Sequence, residues 1–172
     1  MPSPDRTTFE RLVLAHAEDA YALARWLVGN EHDAADVTQE ALMSAYKHFA
    51  SCRGVHVRAW LMTIVRNSAY SWLRSHHSTT ELDSMSDADQ PVASEPGPIA
   101  ALAAREDRAA VQNALEQLPL AIRETIVLRE LQGLSYREIS SISRIPIGTV
   151  MSRLSRGRQI LMQLLLPTTG EA

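Results

Sequence analysis

An acidic stretch without helical periodicity divides this chain, and it constrains the fold more than any other feature of the sequence. Residues 78–97 are rich in Ser, Thr, Asp and Pro and contain almost no large apolar residue. Such a segment cannot bury enough apolar surface to order itself, so it is predicted to be a flexible linker. A chain of 172 residues split in this way is predicted to fold as two small domains.

Apolar residues recur at steps of three and four on both sides of this stretch, which is the period of an α-helix. Strand-period alternation is absent, and Leu118-Pro119 breaks the pattern of the second half. The predicted class is therefore all-α, with a domain over residues 1–77, a linker over 78–106, a second domain over 107–166 and a tail over 167–172. Helices are predicted over residues 9–28, 33–49, 57–75, 99–117, 121–131, 135–142 and 147–165.

Composition argues against several functional classes. Cys52 is the only cysteine, so it cannot form an internal disulfide, and together with His56 it supplies too few ligands for a zinc site. The sequence has no Gly-rich phosphate loop, no nucleophile elbow and no zinc-protease motif. We therefore expect no enzymatic activity, metal, cofactor or small-molecule substrate. The N-terminus resembles no signal peptide and no stretch has the length of a membrane span, which predicts a cytoplasmic protein without membrane insertion.

Charge is strongly segregated along the chain, although the net charge is only −3. Residues 41–80 contain five Lys and Arg residues and no acid, whereas residues 81–107 contain seven acids and one Arg. Residues 135–163 again contain five Arg and one Glu. Two basic segments beside acidic ones indicate two separate surfaces that bind anions.

The second basic segment has the pattern of a helix-turn-helix. Ser135 and Glu138 form a capping box, which starts a short helix, and Pro146 suits the first position of the next helix. On that second helix Val150 and Leu154 mark the core face. The opposite side carries hydroxyls and guanidinium groups that can contact phosphates and base edges of duplex DNA. A solvated basic face is the alternative interpretation.

Two faces of the first half are ambiguous when taken alone. On helix 57–75, Arg, Asn and Tyr side chains share one side, a mixture that suits single-stranded DNA. Trp60 and Trp72 on this helix are more typical of core anchors than of stacking platforms. On helix 33–49, an outer face with Met43 at its centre is either plain surface or a strip that binds a partner.

Taken together, these segments resemble the extracytoplasmic-function (ECF) sigma factors of bacterial RNA polymerase. The similarity rests on an ordered set of motifs whose spacing covers residues 9–75 and 107–163. In the first half they are DAADVTQE at residues 33–40, RG at 53–54 and VRAWLMTIVRN at 57–67. In the second half they are LP at residues 118–119, LRELQGLSYREI at 128–139, IPIGTV at 145–150 and SRL at 152–154.

The resemblance implies two small helical domains, sigma regions 2 and 4, and a set of partners. Core RNA polymerase would be bound through its β′ clamp coiled coil and its β subunit. The β′ clamp coiled coil would contact the face formed by Asp36, Gln39, Glu40, Met43 and Lys47. The melted −10 element would be bound by Arg53, Arg58, Trp60, Arg66, Asn67, Tyr70 and Arg74, with Asn67 holding a flipped-out base. The −35 duplex would be bound by Arg137, Thr149, Ser152, Arg153, Arg156 and Arg158.

The resemblance also implies regulation by an anti-sigma factor, which in turn could hold the chain at the membrane. One departure from the family pattern has a structural consequence: Arg144 occupies the turn position where glycine is usual and a positive φ is expected. Two other functions remain as alternatives. One is a sigma-like decoy that binds only an anti-sigma factor, and the other is a helix-turn-helix regulator that acts without polymerase.

Overall fold

The described part of the chain is helical. The structure, a computed structural model, describes residues 6–52, 56–76 and 99–166, and within residues 99–106 only the backbone. No strand occurs in this described part. The helices are α1 (Arg6–Leu12), α2 (Ala17–Val28), α3 (Glu31–His48), α4 (Val57–His76), α5 (Ile99–Glu116), α6 (Leu120–Ile126), α7 (Tyr136–Ser143) and α8 (Ile147–Leu165).

Helices α1 to α4 form the first unit, in which α2, α3 and α4 pack against one another. Leu23, Val37 and Leu61 are fully buried between them. Gly29 ends α2 in the left-handed conformation, with φ 94°. Asn30 then caps α3, because its side-chain oxygen accepts a hydrogen bond from the Asp33 N–H at 2.8 Å. The sharp connection between α2 and α3 is therefore a local consequence of the sequence.

The predicted single helix over residues 9–28 is wrong, because the chain tightens into a 3₁₀ turn at Leu14–His16 between α1 and α2. No Pro or Gly explains this break. Phe9 packs edge-on against Tyr46 and Phe49, with ring centroids 5.1 and 5.4 Å apart. Packing of Phe9 against α3 and the turn after it therefore overrides the helical periodicity.

Helices α5 to α8 form the second unit. Pro119 precedes α6 as predicted, but α6 ends at Ile126 and continues as a π-helical turn over Val127–Leu131. The helix-turn-helix consists of α7 and α8. Helix α8 packs on α6, and α7 packs on α8 and on the π-helical turn. Residues 77–98, which include most of the predicted linker, lie outside the described residues, so the domain boundaries remain a prediction.

The two units lie against each other, with α4 next to α7 and α2 next to α6. Their buried apolar side chains belong to one contiguous cluster. Among the described residues, no helix is long and apolar enough to cross a membrane.

Gly157 provides a stability test for the packing of α8 on α6. A Cβ at this position would lie 2.7 to 2.9 Å from side-chain atoms of Ile122 and Ile126, and Ile126 is too deeply buried to move aside. We expect Gly157→Ala to lower the free energy of unfolding by about 1–3 kcal/mol, as overpacking does in other cores. Denaturant unfolding followed by circular dichroism measures this change.

Gly148 is the matched control, because it lies in the same helix and a Cβ there meets nothing within 4 Å. Gly148→Ala should be neutral or slightly stabilising, since alanine restricts the unfolded chain more than glycine does. Equal effects of the two substitutions would contradict the close contact between α6 and α8.

Candidate nucleic-acid and polymerase interfaces

The helix-turn-helix is built from local interactions that the sequence predicted. The Ser135 hydroxyl accepts the Glu138 N–H at 3.2 Å, and the Glu138 carboxylate accepts the Ser135 N–H at 2.8 Å. Arg144 ends α7 in the left-handed conformation with φ 54°, as expected for the position where it replaces glycine. Pro146 occupies the N-cap position rather than the first helical position, and α8 spans Ile147–Leu165 as predicted. These contacts fix where α8 begins and which face it exposes.

The two faces of α8 separate as predicted from its sequence. Val150, Leu154 and Gly157 are buried against the rest of the second unit. Ser152 and Arg156 are exposed, and Thr149 and Arg153 are half-buried on the same side. Arg137 is exposed on α7. This side can present guanidinium and hydroxyl groups to a DNA groove, whereas the buried face cannot.

Arg158 differs from the other predicted −35 residues because it already has a partner. Its Nε and Nη2 atoms both donate to Glu130 Oε1, at 2.8 and 2.5 Å. The hydrogen bond to Glu130 raises the pKa of the Arg158 guanidinium. Both side chains are about half exposed, so the pair is weak in water, and a phosphate could replace the carboxylate. Its role in binding phosphate remains a prediction.

The predicted −10 residues of α4 divide into two groups. Asn67 and Arg74 are exposed, and Asn67 is therefore available to a base. Arg66 and Tyr70 instead contact the second unit. The Arg66 guanidinium and the Tyr70 hydroxyl both donate to the carboxylate of Glu124 on α6, the latter at 2.6 Å.

Glu124 is fully buried at the joint between the two units. Its third donor is the Ser143 hydroxyl at the end of α7, at 2.7 Å from Oε1. The Arg66 guanidinium also lies over the Tyr70 ring, 4.3 Å from its centroid. Burial, followed by the charge of Glu124, raises the pKa of the Tyr70 hydroxyl well above its ordinary value. The phenol is therefore held in its neutral, donating form.

The remaining −10 candidates also have structural roles. Arg58 donates to the Asp19 carboxylate of α2 at 2.7 Å. Trp60 and Trp72 are half-buried and pack against the core, as the more conservative interpretation predicts. Arg53 lies outside the described residues. The sequence placed Arg58, Trp60 and Trp72 on the correct helix, but it did not predict their partners.

The predicted polymerase face is exposed on α3. Asp36, Gln39, Glu40, Met43 and Lys47 all face solvent. Next to them lies an apolar groove of about 590 Å³, and Gln39, Met43 and Lys47 form part of its lining. The rest of the lining is Tyr21 from α2 together with Ala35, Thr38, Leu42 and Tyr46 from α3. Sequence reasoning missed Tyr21, although an aromatic residue on the outer face of an amphipathic helix was the available signal.

One group of described residues has the spacing of metal ligands. Ligand atoms of His32, Asp33 and Asp36 lie within 4.8 Å of one another at the start of α3. Asp33 already accepts a hydrogen bond from the Asn30 side chain, and the cluster lies at the protein surface. Capping of α3 accounts for this arrangement, and we assign no metal to it.

Two family descriptions match separate parts of this chain. Sigma-70 region 2 matches residues 12–79, and Sigma-70 region 4 matches residues 108–161. The RNA polymerase sigma-H factor of Pseudomonas aeruginosa is 31% identical over 98% of this chain and 91% of its own length. The chain belongs to the ECF sigma factors. The resemblance proposed from the sequence is thereby confirmed, and so is the all-α fold with regions 2 and 4.

Other relatives agree with this assignment. The ECF RNA polymerase sigma factor SigE of Mycolicibacterium smegmatis is 33% identical over 95% of this chain, which spans only 64% of that relative's length. Among solved structures, the sigma factor RpoE in complex with the anti-sigma factor NepR from Bartonella quintana superimposes with a TM-score of 0.77. That structure is 32% identical, and the match covers 92% of this chain and 97% of the other. Sigma factors are transcription initiation factors.

The capping box makes stability depend on pH. The backbone hydrogen bond from Ser135 is the largest cause that lowers the pKa of Glu138, followed by the Ser135 hydroxyl and the charges of His56 and Arg58. The Glu138 carboxylate therefore stabilises the fold above the ordinary pKa of glutamate. This contribution is lost as the pH falls through the lowered folded value. We expect the unfolding midpoints of the wild type and Glu138→Gln to differ at neutral pH and to converge below about pH 4.

Denaturant titrations of both proteins between pH 7 and pH 3 measure this convergence. The difference in unfolding midpoint between the two proteins is compared at each pH. The other carboxylates contribute equally to both midpoints, because both proteins contain them, so their pH dependence cancels. A difference that stayed constant down to pH 3 would contradict the role of the Glu138 charge.

Proposed function

We propose that this chain binds core RNA polymerase and directs it to promoters by reading two DNA elements with two separate surfaces. The observation that carries the proposal is the arrangement of α8. It has one face buried in the second unit and presents Arg153, Arg156 and Ser152 on another, in a helix-turn-helix held by a capping box. Duplex DNA at a −35 element suits this surface because arginine can pair two donors with a guanine edge.

The second DNA surface lies on α4. Asn67 and Arg74 are exposed on the helix that the sequence assigns to the −10 element. An amide side chain can hydrogen-bond the edge of a flipped-out base, and arginine can bind the adjacent phosphates. Opening a base pair costs a few kcal/mol, which captured contacts on the strand must offset. We assign Asn67 to base capture and Arg74 to the backbone.

The polymerase would bind the exposed face of α3 and the adjacent groove. Aliphatic and aromatic side chains from α2 and α3 line this groove, and acidic, amide and basic groups surround it. An apolar centre with a polar rim is the usual composition of a protein interface.

Because the Bartonella quintana relative was solved with the anti-sigma factor NepR, we also propose that an anti-sigma factor regulates this chain.

Met43 tests the polymerase surface. It is 55% exposed at the groove, and a charge there would have to be desolvated when the interface forms. We expect Met43→Glu to weaken binding to core polymerase at least tenfold, or about 1.4 kcal/mol. Fluorescence anisotropy of the labelled chain, titrated with core enzyme in the absence of DNA, measures the affinity.

Met151→Glu provides the matched control, because Met151 is 54% exposed and lies on α8, away from the groove. It should bind core polymerase like the wild type. If both variants lost affinity equally, or neither did, the groove would not be the polymerase site.

Transcription in vitro tests the function as a whole. The purified chain and core polymerase are incubated with supercoiled plasmids that carry genomic fragments. The 5′ ends of the resulting RNA are then sequenced. We expect transcripts that start at a fixed distance from two shared DNA elements. Tight binding to duplex DNA without polymerase would favour the regulator, and a mixture that makes no transcript would favour the decoy.

Arg153 tests the −35 assignment in the same assay. We expect Arg153→Ala to weaken recognition by roughly 1–3 kcal/mol and to relax the base preference at one or two positions of the upstream element. Arg108→Ala is the control, since it removes the same charge from an exposed position on α5. An unchanged base preference in Arg153→Ala transcripts would exclude this role.

A further inference from the structure

Two exposed apolar side chains lie at the start of α8, the second helix of the helix-turn-helix. Ile147, the first residue of α8, is 41% exposed, and Met151, one turn further along, is 54% exposed. Apolar side chains that are exposed singly are normal on a protein surface. These two are adjacent, because residues four apart in a helix are neighbours on the same face. They therefore form one small apolar patch.

The apolar patch runs beside residues that we assign to the −35 duplex. Gly148, Ser152 and Arg156 follow one another at steps of four and form the next line of residues around the exposed surface of α8. A Cβ at Gly148 would meet nothing within 4 Å, so this part of the surface is open to a close approach. The apolar patch and the adjacent polar line can therefore contact the same partner.

The charge around the apolar patch favours DNA as that partner. Residues 139–166 contain four Arg residues and no acid. Arg144 and Arg156, which are both exposed, precede and follow the patch along the chain. Phosphates flank the major groove and base edges form its floor, so an apolar centre between guanidinium groups suits this groove. The N-terminal residues of the second helix are those that contact base edges in this motif.

Thymine is the base whose chemistry matches an apolar side chain. It presents its C5 methyl group in the major groove, whereas adenine, guanine and cytosine present hydrogen-bond donors and acceptors there. An apolar side chain against a polar edge displaces water without replacing its hydrogen bonds, which is unfavourable. Against a methyl group the same side chain buries apolar surface on both partners. The flexible, unbranched thioether of Met151 can adapt to the position of such a methyl group.

We propose that Met151, supported by Ile147, is a specificity-determining residue that selects thymine at one or two positions of the −35 element through its C5 methyl group. The proposal rests on the proposed function, because it requires α8 to lie in the major groove of promoter DNA. Arg153 and Arg156 would read polar edges of neighbouring base pairs. The two contributions are separable, since one depends on hydrogen bonds and the other does not.

Replacement of thymine by deoxyuridine tests the proposal directly. Deoxyuridine lacks only the C5 methyl group, so every hydrogen bond of the base pair stays in place. Core polymerase loaded with the chain first selects promoters from a pool with a randomised upstream element, and we expect thymine to be enriched at one or two positions. Deoxyuridine at those positions should weaken promoter binding about three- to fivefold per methyl group, the scale of burying one CH₂ group. Competition between labelled and unlabelled promoters measures this change.

Substitutions of Met151 test the residue assignment in the same competition assay. Met151→Ala should bind the thymine and deoxyuridine promoters equally, whereas Met151→Leu should keep most of the discrimination. Met162→Ala is the matched control, because Met162 is 60% exposed on the same helix but lies about 16 Å further along its axis. It should discriminate like the wild type. Circular dichroism confirms that each variant is folded.

The outcomes separate this proposal from the proposed function. A wild type that enriches no thymine or binds both promoters equally would overturn the proposal, and so would discrimination that survives in Met151→Ala. A preference for other bases of the upstream element would in those cases leave the proposed function standing. Loss of affinity of Met151→Glu for core polymerase without DNA would assign the patch to the polymerase and also overturn the proposal. If the loaded polymerase selected no upstream sequence, the proposed function would fail together with this inference.

Discussion

The buried carboxylate of Glu124 is the interaction on which the arrangement of the two units depends. A charge without exposure to solvent is tolerated only where donors replace the water that it has lost, and here Arg66, Tyr70 and Ser143 do so. Ser143 is the last residue of α7 and immediately precedes the left-handed Arg144. The same carboxylate therefore connects the first unit to the turn that sets the direction of the DNA-reading helix.

This arrangement gives α4 two mutually exclusive sets of contacts. In the structure its Arg66 and Tyr70 side chains serve the joint, and in the proposed promoter complex they would serve an opened DNA strand.

The sequence predicted those features that arise from neighbouring residues. The Ser135 and Glu138 capping box, the positive φ of Arg144 and the two faces of α8 all follow from contacts within one turn or one helix. The break after α1 was missed because Phe9 packs against Tyr46 and Phe49, which are remote in sequence. The contacts of α4 with Glu124 were missed for the same reason: Arg66 and Tyr70 lie 58 and 54 residues from Glu124. Helical periodicity records which face is buried and not which partner covers it.

The joint between the two units combines a shared apolar cluster with a buried polar network around Glu124. Replacing a buried ion pair with apolar side chains of similar volume is often neutral or stabilising, so charged groups are a poor choice where only stability is needed. They are suitable where the contact has to be specific and reversible, because each group regains hydrogen bonds to water on separation. The unpaired Oε1 of Gln132 would even gain a partner when the units part. The apolar side chains of both units also belong to one cluster, so their burial stabilises the joint while the network at Glu124 makes it specific.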